Sequence, residues 1–96
     1  MLSVINHLQY KKLLPEILIA IHYSFKKYVR LKKNRSDELE KIISFINQIM
    51  YYSFVNYESE IKGDNDLIVA FEGILLSLIE LKDEKSAVLL DEFRIH

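Results

Sequence analysis

The chain has 96 residues with a formal net charge of −1, half of them hydrophobic and 28% charged, and includes two glycines, one proline and no cysteine. The lack of cysteine excludes disulfides and thiolate metal sites, and the scarcity of glycine and proline excludes the many turns of a β-sandwich or barrel. The length corresponds to a single domain, residues 1–96, because compact domains span about 50 to 250 residues.

Two helices are predicted in the first third of the chain, separated at Pro15. The first spans residues 2–13, where apolar side chains recur three and four positions apart. Pro15 is expected in the first turn of the second helix, where the N–H that proline lacks would have had no partner. That helix is predicted to continue to about Lys33.

A long helix is predicted from Asp37 to about Lys62. Asp37 and Glu40 have the spacing of a capping box, in which side chains bind the backbone N–H groups of the first turn. Gly63 follows at the position where a left-handed residue commonly ends a helix. Residues 66–81 form the next predicted helix, and because few of its positions are polar, we expect it to be the central or interface helix.

Gly73 lies inside that apolar helix and costs about 1 kcal/mol relative to alanine, so close approach by another helix is the expected reason for it. Residues 82–85 are charged and are expected to turn the chain. A last helix is predicted over residues 86–93, with Val88, Leu89 and Phe93 facing the body. These elements predict an all-α fold. It is an antiparallel up-and-down four-helix bundle, with or without a short fifth helix at the C-terminus.

The low net charge conceals an asymmetry between the two parts of the chain. Residues 1–35 carry eight Lys and Arg against one Glu, a net of +7, whereas residues 36–96 carry five basic and thirteen acidic groups, a net of −8. Either the basic helix pairs with acidic neighbours inside the protein, or it forms a surface for an anionic partner. We call its candidate membrane or partner residues the basic segment: Lys26, Lys27, Arg30, Lys33 and Arg35.

Phospholipid is the favoured anionic partner of the basic segment. A nucleic-acid partner is not expected, because no helix-turn-helix is recognisable and the next helix opens with acidic residues. A short polybasic patch gains about 1 kcal/mol per charge near anionic lipid. A solvated charged face without a partner is the alternative.

The aromatic residues of the long helix over residues 37–62 cover more than one of its faces, so some of them must point away from the core. The candidate partner-facing aromatics are Tyr51, Tyr52 and Tyr57. Tyrosine is common at interfaces, since it offers a large contact area with a polar tip. The alternative is that neighbouring helices cover these side chains.

No pattern of residues indicates catalysis, a cofactor or a metal site. The Glu-x-x-His spacing of helical di-metal proteins is absent, and so are the glycines of a phosphate-binding loop. We therefore expect a protein that is not an enzyme and uses no cofactor. The longest nearly apolar stretch, residues 67–81, is shorter than the roughly 20 residues that span a bilayer, and the N-terminus does not read as a signal peptide. A cytoplasmic location is expected, with partial membrane association if the basic segment meets lipid.

The long helix contains the stretch FINQIMYY at residues 45–52. This stretch resembles the apolar-Ile-Asn-Arg-Leu-x-x-Tyr pattern that opens a long helix in immunity proteins of pediocin-like (class IIa) bacteriocins. Downstream, residues 60–62, a polar loop and the leucine-rich helix over residues 67–81 are similar to the hairpin of the family's third and fourth helices. The resemblance covers residues 16–81, and Gln48 stands in place of the family's arginine.

The resemblance implies a cytosolic antiparallel four-helix bundle that protects the producing bacterium from its own pore-forming peptide. Such proteins bind a membrane permease, the mannose phosphotransferase system, once the bacteriocin has engaged it, and their C-terminal half sets specificity. The basic segment would then face the membrane, and residues 83–96 would select the bacteriocin. The alternative is a small helical regulator or antitoxin-like adaptor that binds a protein partner through the predicted helices over residues 37–62 and 66–81, as a monomer or a homodimer.

Overall fold

The computed structural model describes the backbone of residues 4–31 and 37–95 and the side chains of residues 11–29 and 37–95. These residues form α1 (Val4–Leu31), α2 (Asp37–Lys62), α3 (Asn65–Glu80) and α4 (Glu84–Ile95), and no strand occurs among them. The predicted all-α helical bundle is confirmed. The predicted C-terminal helix is the fourth member of the bundle and not a fifth.

Pro15 does not divide the N-terminal region into two helices, so the predicted break there is wrong. α1 continues through Pro15 over 28 residues. A proline inside a helix removes one backbone hydrogen bond and costs about 3 kcal/mol. Burial on either side of it offsets this cost, because Leu14 and Leu18 are almost completely removed from solvent in the core.

α3 is the centre of the bundle, as its apolar sequence predicts, and it packs against each of the other three helices. Its buried side chains recur on successive turns and belong to the main core: Leu67, Ala70, Phe71, Ile74, Leu75 and Leu78. The expected close approach at Gly73 is also found. The neighbour is a side chain and not a helix backbone, since the imidazole of His22 on α1 lies against the glycine.

α2 has the predicted bounds but is not regular throughout. Tyr57 has a non-helical backbone conformation, with φ −134° and ψ 27°, and it marks a kink. In the preceding turn, the Ser53 hydroxyl donates to the carbonyl of Ile49 at 2.7 Å, and the Asn56 side chain donates to the carbonyl of Tyr52 at 2.9 Å. Such bonds compete with the helical ladder and are a recognised cause of bending.

The left-handed residue of the described chain is Lys82, with φ 68°, and the prediction of one at Gly63 is wrong. Lys82 follows α3 in a Schellman motif, in which its N–H donates to the Ile79 carbonyl at 2.9 Å and the N–H of Asp83 donates to the Leu78 carbonyl at 3.1 Å. The motif satisfies carbonyls at the end of α3 and turns the chain into α4.

Phe93 is one of four buried residues of α4 and connects that helix to both α2 and α3. The ring centroid of Phe93 lies 4.5 Å from that of Phe71 on α3 and 6.2 Å from that of Phe54 on α2, the second pair in an edge-to-face geometry. The Lys62 ammonium stands 4.9 Å from the Phe93 ring centroid, within the range of a cation–π interaction. Leu89 and Phe93 therefore face the body as predicted, whereas Val88 does not and is 60% exposed.

None of the described helices has the length and apolar character that a membrane span requires.

Candidate functional site

A groove of about 680 Å³ lies between α2 and α4, and we call it the α2/α4 groove. Its α2 wall consists of residues that recur every three or four positions between Glu40 and Asn56, so one face of the helix forms it. Its α4 wall runs from Lys85 to Glu92 at the same spacing. Ile43 and Leu89, which belong to the core, close the bottom of the groove.

The walls of the α2/α4 groove present apolar side chains to solvent. Tyr51 is 61% exposed and Val55 is 58% exposed on α2, and Val88 faces them from α4. Single exposed apolar residues are ordinary on protein surfaces, but a group that lines one concavity is typical of a binding site. The groove is therefore a candidate site for an apolar surface of a partner.

A hydrogen-bond network holds α4 to α2 beside one part of the groove. The Asp83 carboxylate caps α4, where it accepts hydrogen bonds from the backbone N–H of Ser86 at 3.1 Å and from the Ser86 hydroxyl. The same carboxylate oxygen accepts a hydrogen bond from the side-chain amide of Asn47 on α2. Because Asn47 also lines the groove, the cap of α4 and the α2 wall are fixed relative to each other.

Two of the three predicted partner-facing tyrosines lie in the groove. Tyr51 is exposed and Tyr52 is half-buried, and both line it. The prediction for Tyr57 is wrong, because its side chain is 2% exposed in the core and packs edge-to-face against Tyr52 with centroids 6.0 Å apart. Tyr57 follows the buried Met50 by seven residues, two helical turns, and this spacing places both on the core face of α2.

The basic segment lies apart from the groove as far as the structure describes it. Lys26 and Lys27 are exposed on α1, which contributes no residue to the groove lining. Arg30 lies within α1 but its side chain is outside the described part, as are Lys33 and Arg35 entirely. Pairing of the basic helix α1 with acidic neighbours is limited among the described residues. The Lys11 ammonium lies 3.9 Å from the Glu60 carboxylate, whereas Lys26 and Lys27 take part in no described ion pair.

His22 is a polar group on α1 whose ring lies against the central helix α3. Its Nδ1 is buried and has no hydrogen-bond partner among the described residues, beside Gly73. Burial, and then the nearby charge of Lys26, lower the pKa of His22 below 6.5. The structure thus favours the neutral imidazole. In the described part of the chain, no three His, Asp or Glu side chains are placed to hold a metal ion.

Apart from Tyr51 and Tyr52, the residues that line the groove were not predicted individually, Asn47 and Val55 on α2 among them; the α4 wall lies within residues 83–96, which the resemblance implicates only as a segment. Val55 continues the face of Tyr51 by one turn, a signal that the sequence does contain. Nothing in the sequence pairs that face with α4, because the two walls are separated by about thirty residues and by the whole of α3.

No family model matches the chain, and neither the curated proteins nor the solved structures include a match. The fold and the site define the class to which the structure belongs, an all-α helical bundle with an open apolar groove between two of its helices.

Proposed function

We propose that this protein is a bacteriocin immunity protein, which protects the producing cell by binding, from the cytosolic side, a membrane permease that a pediocin-like peptide has engaged. One observation supports the proposal above others. Of the eight residues in the stretch 45–52 that resembles the immunity family, four line the α2/α4 groove: Asn47, Gln48, Tyr51 and Tyr52. The part of the chain that carries the resemblance is thus also the part that carries the candidate binding surface.

The proposed mechanism is binding without catalysis. The groove offers exposed apolar side chains and amide groups, which suit recognition of a protein surface. Lys26 and Lys27 on α1 supply positive charge away from the groove, and each such charge gains about 1 kcal/mol near an anionic membrane. The protein would then contact the inner membrane surface through α1 while the groove engages the permease.

The proposal is tested by expressing the protein in a bacteriocin-sensitive strain and challenging the cells with a panel of pediocin-like peptides. We expect protection against at least one peptide, and we expect Tyr51→Ala to abolish it. Phe45→Ala is the matched control, because Phe45 is 64% exposed on the same helix, close to the 61% of Tyr51, and does not line the groove. If no peptide is resisted at confirmed expression, the proposal is wrong.

A helical regulator or antitoxin-like adaptor is the second candidate, and the same groove favours it. Its expected binding surface needs correction, since α3 lies at the centre of the bundle and leaves Val69 and Leu76 as its large exposed apolar residues. An adaptor would bind through α2 and α4. A neighbouring gene for a toxin or a DNA-binding protein would favour it, whereas a gene for a short peptide with a double-glycine leader would favour immunity.

A further inference from the structure

We infer that the α2/α4 groove binds a cationic amphipathic helix, a segment with one apolar face flanked by Lys or Arg. The inference names the partner segment recognised in the proposed function and rests on it. Its test uses purified protein and a defined peptide, so a failure here is distinct from a failure to protect cells.

The length and backbone of the groove favour a helical occupant. The α2 wall extends over seventeen residues, from Glu40 to Asn56, and spans about 24 Å at a rise of 1.5 Å per residue, which matches a helix of four to five turns. Both walls are helices, whose backbone N–H and C=O groups bind one another. An extended peptide would therefore find no free sheet edge to join, whereas an amphipathic helix needs only side-chain contacts.

The apolar part of the groove supplies those contacts. Tyr51 and Val55 are one helical turn apart on α2, and Val88 opposes them from α4. Between these residues lies Leu89, whose burial in the core gives the groove a firm floor. Apolar side chains spaced three and four apart on an incoming helix would pack between the two walls.

The charges of the groove favour a cationic helix over an anionic one. Glu40 and Glu92 line it against one ammonium, that of Lys85. Both walls belong to the acidic part of the chain, residues 36–96, which has a net charge of −8. Glu92 forms no ion pair with any residue that the structure describes, so its carboxylate is available to a partner. Complementary charge speeds association and rejects partners of the wrong sign.

A second copy of this chain is a poor occupant. Its own cationic helix is α1, and Leu18 and Phe25 anchor that helix in the core. Without removing these side chains from its core, at a cost of about 2 to 5 kcal/mol for each, a copy could offer from the described side chains of α1 only the exposed Leu13, Ile19 and Tyr23, which do not form the continuous stripe of an amphipathic helix. The expected occupant is therefore a helix of another protein.

The test measures binding of two designed 16-residue helical peptides to the purified protein by calorimetry and by amide NMR shifts. Both peptides carry leucines at positions i, i+3, i+4 and i+7, and the remaining positions are rich in Lys in one and in Glu in the other. We expect the Lys peptide to bind at least about tenfold more tightly at low salt, with shifts at Tyr51, Val55 and Val88.

Two pairs of variants separate groove binding from general attraction to an acidic protein. Glu92→Lys is expected to weaken binding of the Lys peptide about tenfold. Asp91→Lys changes a neighbouring exposed residue outside the groove lining and is expected to weaken binding less than about threefold. Val88→Ser is expected to weaken it, unlike Val69→Ser on α3, whose side chain is 63% exposed and outside the groove.

Four outcomes would overturn the inference: equal binding of the two peptides, shifts confined to α1, equal effects within either pair of variants, or a dimer in sedimentation equilibrium that the Lys peptide dissociates. The last outcome would assign the groove to a second copy of the chain.

Discussion

The imidazole of His22 on α1 fills the space beside the α-carbon of Gly73 on α3, so that a Cβ built on the glycine would lie 2.6 Å from Nδ1 of the ring. Because residue 73 has no side chain, α1 and α3 can pack together with the His22 ring between them. A side chain at residue 73 would need the space that the ring fills. The pair fixes the contact of α1 with the central helix and also accounts for the low pKa of the histidine.

Gly73→Ala is expected to destabilise the protein, although alanine is the better helix former. The substitution gains about 1 kcal/mol in helix propensity, while forcing the His22 ring away from its site costs about 1 to 3 kcal/mol. Urea denaturation should therefore show a lower free energy of unfolding for the variant.

The control for Gly73→Ala is the same substitution in a His22→Ala background. With the ring absent, only the gain in propensity remains, so the added methyl group should stabilise the protein by about 1 kcal/mol. An equal loss of stability in both backgrounds would show that the ring is not the neighbour that excludes a side chain at this position.

His22 makes stability depend on pH in a direction set by its lowered pKa. Because burial and Lys26 lower that pKa below 6.5 in the folded protein, the unfolded chain takes up the proton at a higher pH. The contribution of the neutral His22 ring to the free energy of unfolding is fully present above pH 6.5, and it is lost as the pH falls through 6.5 toward the pKa of the folded state. We expect the melting temperature of the wild type to fall more steeply over that interval than that of His22→Gln.

The cause of the lowered pKa is tested by NMR titration of the His22 ring protons in the wild type and in Lys26→Gln. Removal of the lysine charge should raise the pKa of His22 toward 6.5, and Lys27→Gln should change it less, because Lys26 is the charge that lowers it. A wild-type pKa at or above 6.5 would contradict the buried, neutral ring.

Lys82→Gly is expected to stabilise the protein by about 1 kcal/mol. Lys82 adopts a left-handed conformation with φ 68°, which costs a residue with a Cβ about 1 to 2 kcal/mol, whereas glycine adopts it freely at some cost in unfolded-chain entropy. Lys82→Ala retains the Cβ and serves as the control, with little change expected. Chemical denaturation of the two variants compares them, and a gain from alanine equal to that from glycine would assign the effect to the lysine charge.

The sequence predicted the bundle and its central helix because those features depend on local spacing. The apolar residues of α3 leave few polar positions, so burial of most of its surface followed directly. Pro15 misled the prediction, because the general rule about proline ignores the burial of Leu14 and Leu18, which keeps α1 continuous. The groove could not be predicted for a related reason: its walls are brought together by long-range contacts, such as the hydrogen bond from Asn47 to Asp83.

Asp83→Ala tests whether that contact holds the groove together. The substitution removes the cap of α4 and leaves the hydroxyl of Ser86, a residue with no exposed surface, without its acceptor, so we expect a loss of about 2 to 3 kcal/mol in the free energy of unfolding. Asn47→Ala removes the link to α2 but keeps the cap, and should cost about 1 kcal/mol. Relative to the wild type, hydrogen exchange should then accelerate more in α4 than in α3 for both variants. The reason is that Phe93 would still hold α4 to α2, but the link from Asn47 to Asp83 would be lost. Unchanged exchange in α4 of Asn47→Ala would show that the amide does not tie the two walls.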